Sequence, residues 1–169
     1  MNALLDFLST RRSQLAVDSF QHVSATVQAV LLATALSLLV GVAVYRSRAG
    51  SAVATGLAST ALTVPSFALL GLLIPIFGLG VVPTMVALVI YAVLPILRNT
   101  IVGLDAVPAA TVDAARGVGM SRFRVLSRVE LPLAWPSILA GIRISTQMSM
   151  GILAIAAYAK GPGLGNLIF

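Results

Sequence analysis

The sequence has no cysteine and only one histidine, His22, among its 169 residues. Without thiols the chain can form neither a disulfide nor a thiolate metal site, and a single imidazole supplies too few ligands for zinc. Charged residues are also scarce, since they make up 9% of the chain against about 25% of soluble domains. These shortages argue against metal-based or thiol-based catalysis and exclude an ordinary water-soluble domain.

Apolar residues fill most of the chain, at 59% of its length, and give a mean hydropathy of +1.03. Long stretches contain no charged residue, as in membrane-spanning helices. The net charge of +6 and the pI of about 11.2 would favour a nucleic-acid partner in a soluble protein. Here the basic residues flank apolar runs, so we interpret them as signals of membrane topology and expect no nucleic acid.

Charge-free stretches predict the membrane spans. The 49 residues between Arg48 and Arg98 carry no charge. As one helix they would extend about 74 Å, more than twice the ~30 Å hydrocarbon core, so they must fold as a hairpin. Gly78-Leu79-Gly80 is the natural break. The predicted spans are residues 23–45, 52–77, 82–97 and 133–158, and residues 1–22 are interpreted as an interfacial segment.

These spans predict an all-α, polytopic helical membrane protein, with residues 1–169 as a single transmembrane domain in the lipid bilayer. Seven Lys and Arg residues lie in or beside the 46–51 and 98–130 loops, against three on the opposite side. By the positive-inside rule, both loops face the cytoplasm and the amino terminus lies outside.

The cytoplasmic loop 98–130 has helical periodicity. Its apolar positions are Val112, Ala115, Gly119, Phe123 and Leu126. Gly117 and Gly119 divide the pattern into two short helices, and Ser121 is a candidate N-cap of the second. Such a helix-turn-helix could dock in a groove of a partner, or it could lie on anionic lipid headgroups. Periodicity alone does not choose between these two interpretations.

The amino-acid sequence of this loop resembles a known signature. Asp113-Ala114-Ala115 is followed after three residues by Gly119, and after nine more by Val129-Glu130-Leu131-Pro132. This resembles the EAA signature of the membrane subunits of bacterial ABC importers, which reads Glu-Ala-Ala, three residues, Gly, nine residues, Ile, any residue, Leu-Pro. Asp113 and Val129 depart from that pattern and keep its chemical type.

A narrower likeness is to the permeases of osmoprotectant uptake, which serve glycine betaine, carnitine and choline. It is carried by Thr63-Val64-Pro65-Ser66, the following segment 68–75, Leu97-Arg98-Asn99-Thr100, Gly141-Ile142-Arg143 and Gly163-Leu164-Gly165. The resemblance implies a type I permease core in the bacterial inner membrane, with four spans present and a fifth span of the family absent.

The same resemblance implies partners. These are a cytoplasmic ABC ATPase, an extracytoplasmic substrate-binding protein and a second permease subunit, either identical or related. The chain has no Gly-x-x-x-x-Gly-Lys-Ser/Thr loop, so we expect ATP and Mg²⁺ to be bound by the ATPase and no cofactor, metal or catalytic residue in this chain.

Two sets of site residues follow. Carried over from the signature, the ATPase-coupling residues are Asp113, Ala114, Ala115, Gly119, Leu131 and Pro132. Polar or helix-breaking residues within spans are candidates for lining the path, and these are Thr63, Pro65, Ser66, Ser145 and Gln147. Arg143 is the only charge inside a predicted span, and it is interpreted either as a functional site or as a side chain that reaches the interface.

The sequence leaves three alternative functions to consider. A permease for methionine or another amino acid would share the EAA loop. A proton-coupled exporter needs a carboxylate within the membrane, and all five acidic residues fall outside the predicted spans. A scaffold subunit without transport activity is the third. The sequence does not choose the substrate among the osmoprotectants.

Overall fold

The computed structural model describes residue 7 and residues 9–168, and its regular structure there is helical. The helices are α1 (Arg12–Val44), α2 (Arg48–Thr63), α3 (Ser66–Phe77), α4 (Val81–Asp105), α5 (Ala109–Gly117), α6 (Arg122–Val125) and α7 (Leu131–Ile155). A π turn, Leu126–Glu130, joins α6 to α7, and 3₁₀ turns follow at Ala156–Ala159 and Leu164–Leu167. The all-α prediction is confirmed.

The centre of the bundle is α4, which packs between α1 and α7. Small residues allow this close approach: a β-carbon at Gly141 of α7 would lie 2.7 Å from the carbonyl oxygen of Pro95. Hydroxyls join the same helices, since Ser37 Oγ donates to the Val93 carbonyl at 3.1 Å. Small residues and interhelical hydrogen bonds are the usual means of helix association in a bilayer, where the hydrophobic effect between helices is absent.

The second predicted span, residues 52–77, is helical but sharply bent. Helices α2 and α3 meet at 93°, at the break Val64-Pro65. Pro65 lacks an N–H and forces the preceding residue out of the helical region, and Val64 is extended, with φ −73° and ψ 125°. Its carbonyl accepts a hydrogen bond from the Tyr91 hydroxyl of α4. The segment is therefore bent at Pro65, and the bend is held from outside the segment.

The remaining helix ends differ from the predicted spans mainly in length. Helix α1 begins at Arg12, so part of the predicted interfacial segment 1–22 is helical, while residues 1–6 and 8 lie outside the described residues. Helix α4 continues to Asp105, into the predicted 98–130 loop. The turn at Gly78 and Gly80 is confirmed, with φ values of 76° and 119°.

Three described helical segments are long and apolar enough to cross a membrane, and the bent α2–α3 pair would be a fourth crossing. They are Arg12–Val44, Val81–Asp105 and Arg122–Ala159. The last includes α6, the π turn and α7, so the cytoplasmic loop runs into the final span without a break in helical structure.

Candidate functional site

The loop predicted to face a partner is a helix-turn-helix, as the sequence indicated. Helix α5 ends at Gly117, and Gly119 adopts φ 85°, a left-handed conformation that favours glycine. The Met120 N–H then donates to the Ala115 carbonyl at 3.1 Å and closes the turn. Ser121 caps α6, because its Oγ accepts from the Arg124 N–H at 3.4 Å. The predicted division into two helices and the predicted N-cap are confirmed.

The outer surface of this helix-turn-helix is open. Asp113 and Ala114 are exposed, whereas Ala115 is buried. Asp113 Oδ1 lies 4.0 Å from Arg116 Nη1, with both side chains largely exposed. A pair of this kind contributes little to stability, so the carboxylate of Asp113 remains available to a cation of a partner.

The predicted apolar face of the loop is divided between inside and outside. Of its members, Ala115 is buried but Phe123 is 78% exposed; beside that face, Val125 is buried and Val118 is 77% exposed. Large apolar side chains exposed beside a glycine turn are typical of a surface that packs against something else. The periodicity located the helices correctly, but it assigned Phe123 to the same face as Ala115.

Three residues join the end of α1 to the end of the loop, and we call them the cytoplasmic joint: Tyr45, Arg46 and Glu130. Arg46 Nη2 donates to both carboxylate oxygens of Glu130, at 3.1 and 3.2 Å, and the Tyr45 hydroxyl donates to Oε2 at 3.0 Å. These contacts bring the 46–51 loop beside the 98–130 loop. The prediction that both lie on one side of the membrane is therefore consistent with the structure.

The Arg46 guanidinium is strongly held in its charged form. Burial works against that charge, but the hydrogen bonds and charge interactions with Glu130 and Tyr45 outweigh it and raise the pKa of Arg46 above its ordinary value. The guanidinium also lies 5.1 Å from the centre of the Tyr45 ring, a cation–π contact.

The signature residues after Glu130 begin α7. Pro132 occupies the first turn of that helix, directly after the π turn Leu126–Glu130. Leu131 packs against a cluster that contains Leu104, Ala134 and Ile138. Leu131 and Pro132 thus set the start of the final span.

A basic cavity of about 610 Å³ lies between the joint and the turn of the loop. Its lining residues are Arg46, Arg116, Met120, Ser121 and Arg122. Three guanidinium groups facing one space create a positive potential that suits a carboxylate or phosphate group.

The structure does not bring the five predicted path residues together. Thr63 and Pro65 are exposed at the α2–α3 bend, with Ser66 half-buried beside them. Gln147 is exposed on α7. Ser145 is fully buried, and its Oγ donates to the Ala92 carbonyl of α4 at 2.7 Å, so it packs two helices together and faces no open space in this protomer.

A cavity of about 490 Å³ between α2 and α4, lined in part by polar side chains, was missed by the sequence reasoning. The polar residues in its lining are Ser51, Thr55, Ser59 and Arg98. The signal was present, because the three hydroxyls recur every four residues and so share one face of α2. The opposite side of α2 borders an apolar groove of about 640 Å³ that includes Val53, Leu57 and Ala58.

Arg143 lies on an exposed face of α7, four residues before Gln147. The ion pairs recorded within the described residues are Arg46–Glu130 and Asp113–Arg116, so Arg143 has no carboxylate partner among them. The structure therefore leaves both interpretations of Arg143 open, a functional site or a side chain that reaches the interface.

Comparison with known proteins agrees with these features. The family described as "Binding-protein-dependent transport system inner membrane component" matches residues 23–169. The glycine betaine/carnitine/choline transport system permease protein OpuCB of Bacillus subtilis is 38% identical over the whole of this chain and 78% of its own length. The osmoprotectant import permease protein OsmW of Salmonella typhimurium is 38% identical over 97% of this chain and 79% of its own length.

Among solved structures, a chain of the MetNI methionine ABC transporter in an inward-facing conformation has a similar fold. Its TM-score is 0.76 with 23% identity, over 90% of this chain and 77% of that one. At this identity the likeness is one of fold alone. The chain belongs to the family of binding-protein-dependent transport system inner membrane components, as a multi-pass permease subunit of an ABC importer of the osmoprotectant branch, a subunit that is not itself an enzyme.

Proposed function

We propose that this chain forms part of the translocation path for a quaternary-ammonium osmoprotectant and couples to a separate ATPase through its cytoplasmic helix-turn-helix. The observation that carries the proposal is the exposed turn at Gly119, flanked by Asp113 and Ala114 on one helix and by Phe123 on the next. Glycine betaine, choline and carnitine are the proposed substrates, because similar permeases of 36–38% identity over the full chain are named for them.

The coupling role rests on the chemistry of the loop surface. Ala114 is a small exposed side chain, which allows a partner to approach the backbone closely. Asp113 is available to a cation, and Phe123 and Val118 supply apolar area. ATP and Mg²⁺ would bind to the partner ATPase, since this sequence has no phosphate-binding loop of the Walker type.

A second permease subunit is proposed as the other half of the path. Helix α2 has no buried residue in this protomer, although it lies within the apolar part of the chain. The apolar side of such a helix can contact lipid, but the hydroxyl face of Ser51, Thr55 and Ser59 is better suited to another helix or a water-filled space. An extracytoplasmic binding protein would deliver the substrate and account for most of its selection.

The hydroxyl face of α2 is the part of this chain that best fits a water-filled path. Thr55 and Ser59 donate to the carbonyls of Ser51 and Thr55, at 2.6 and 2.7 Å, so their hydrogen bonds are satisfied without fixing a neighbouring helix. Thr63, Pro65 and Ser66 extend this face to the bend. Gln147 on α7 is proposed as a lining residue from the other side.

Co-purification with the cognate ATPase in mild detergent tests the coupling. Gly119→Arg places a bulky cation in the exposed turn, where a β-carbon would meet nothing within 4 Å but would be strained by the positive φ. We expect the native chain to retain the ATPase and Gly119→Arg to lose it. Ala49→Arg is the matched control, because it adds the same side chain to an exposed position in the first turn of α2, beside the other loop.

Uptake into proteoliposomes that contain the assembled complex tests the substrate. We expect uptake of labelled glycine betaine, choline or carnitine that depends on ATP and on the binding protein. Uptake of methionine with none of the osmoprotectants would contradict the substrate proposal and leave the coupling proposal standing. Failure of the native chain to retain any ATPase would contradict the coupling proposal.

A further inference from the structure

We infer that the cytoplasmic joint of Tyr45, Arg46 and Glu130 carries movement of the coupling loop into α1, so that Glu130 and Arg46 are positioning residues for transport. This inference rests on the proposed coupling of the loop to an ATPase. It concerns a different step, which is how a displacement of the loop reaches a helix to which the loop is not directly connected.

Chain connectivity shows why such a link is needed. The loop follows α4 and leads directly into α7, so both helices move with it through the backbone. Three further helices, α2 to α4, separate α1 from the loop, and the Arg46–Glu130 contact spans 84 positions of sequence. Among the described contacts between side chains, the hydrogen bonds of Glu130 tie the cytoplasmic end of α1 to the end of the loop.

The burial of Glu130 distinguishes this contact from an ordinary surface ion pair. Its side chain is 5% exposed, whereas that of Arg46 is 43% exposed. A buried carboxylate that loses its cation is left with an uncompensated charge, so the two residues must move together. The Tyr45 ring packs against the cluster of Leu104, Ala134 and Ile138, which fixes the joint to α4 and α7 as well.

The backbone at Glu130 adds a second observation. Leu126–Glu130 is a π turn inside an otherwise continuous helical segment from α6 to α7. Such turns are rare in proteins overall, but those that occur are often found at functional sites. Because one residue of an α-helix corresponds to about 100° of rotation, a change of this turn to α geometry would turn α6 relative to Glu130. The π turn therefore sets the rotation of α6 relative to Glu130, the residue that Arg46 holds.

Open space surrounds the joint on the loop side. Arg46 lines the basic cavity together with Arg116 and Arg122 of the loop. A smaller cavity of about 190 Å³ lies between Tyr45, Arg46 and Phe123. The loop thus has room to move against α1, and the hydrogen bonds of Glu130 bridge that space.

The ratio of substrate transported to ATP hydrolysed tests the inference in the full complex reconstituted in proteoliposomes. The variants are Glu130→Gln, Arg46→Gln and the double substitution. The control is Arg48→Gln, which removes an exposed cation two positions from Arg46. We expect each joint variant to retain the ATPase on co-purification while transport per ATP falls at least about fivefold. The control should keep the native ratio.

The double variant distinguishes a loss of transmission between the loop and α1 from unrelated damage to the structure. If the two residues act as one unit, the double substitution lowers the ratio no further than either single one. The inference would be overturned if the reductions in the transport ratio from the two single substitutions multiplied in the double variant. It would also be overturned if stably assembled single variants kept the native ratio. A purely structural role would lower the unfolding temperature and leave the ratio unchanged, which would also overturn it. If the native complex transports nothing, the proposed function fails as well, and the native sample alone shows this.

Discussion

A β-carbon at Gly141 of α7 would lie 2.7 Å from the carbonyl oxygen of Pro95 in α4. Real β-carbons essentially never approach another atom so closely, and here the neighbour is backbone that cannot swing aside. The two helices therefore meet at a point where any side chain beyond hydrogen would separate them.

Substitution at this point should destabilise the bundle. We expect Gly141→Val to lower the unfolding temperature of the purified chain and reduce its yield, since overpacking of a close contact costs about 1–3 kcal/mol or more. Thermal unfolding followed by size-exclusion chromatography measures this. Gly151→Val is the matched control on the same helix, because a β-carbon there meets nothing within 4 Å. Equal losses from both variants would contradict the packing argument.

Substitution of Ser145 tests whether its hydroxyl joins two helices or lines the path. Its hydroxyl donates to the Ala92 carbonyl, so we expect Ser145→Ala to cost about 0.6 kcal/mol of stability, the average for a hydrogen bond between helices in a membrane, and to leave uptake unchanged. Paired measurements of unfolding and uptake on this variant decide the matter. Reduced uptake with native stability would return Ser145 to the path.

The two sides of α2 should respond differently to added bulk. Thr55→Leu places an apolar side chain in the cavity between α2 and α4, and we expect uptake to fall several-fold while the ATPase remains bound. Val53→Phe adds bulk to the apolar groove on the opposite side of the helix and should leave uptake close to native. Uptake by each variant in the reconstituted complex is the measurement. The reverse pattern would place the path on the other side of α2.

The α2–α3 bend can be measured directly because the chain has no native cysteine. Leu57→Cys and Leu72→Cys place spin labels at exposed positions on either side of Pro65. We expect Pro65→Ala to lengthen and broaden the distance between the labels, because the restored N–H allows the two helices to straighten. Tyr91→Phe removes the hydrogen bond to Val64 and should have a smaller effect in the same direction. An unchanged distance in both variants would show that other contacts hold the bend.

Features set by neighbouring residues could be predicted from the sequence. The turn at Gly78 and Gly80, the cap at Ser121 and the left-handed Gly119 each depend on local backbone chemistry, and the structure has all three. The two short helices of the loop follow from apolar spacing in the same way. Recognition of the EAA pattern likewise needed only one short segment.

Features that depend on distant residues could not be predicted. The proline at 65 indicated a break, but the 93° angle also involves Tyr91, which lies 27 positions away. Glu130 occupies the position of the signature at which any residue is allowed, and no neighbouring residue in the sequence indicates a contact with Arg46. The exposure of Phe123 was missed because an apolar period does not distinguish a face that packs inside the chain from one that packs on a partner.

The long separation of Arg46 and Glu130 has a consequence for synthesis of the protein. The 84 residues between them take about 4–17 s to translate at 5–20 residues per second. During that interval the end of α1 at Tyr45 and Arg46 lacks the carboxylate that later binds it. When α4 has been inserted, the hydrogen bond of Ser37 to Val93 can position α1, and Glu130 adds its contact with Arg46 only once α7 begins to emerge.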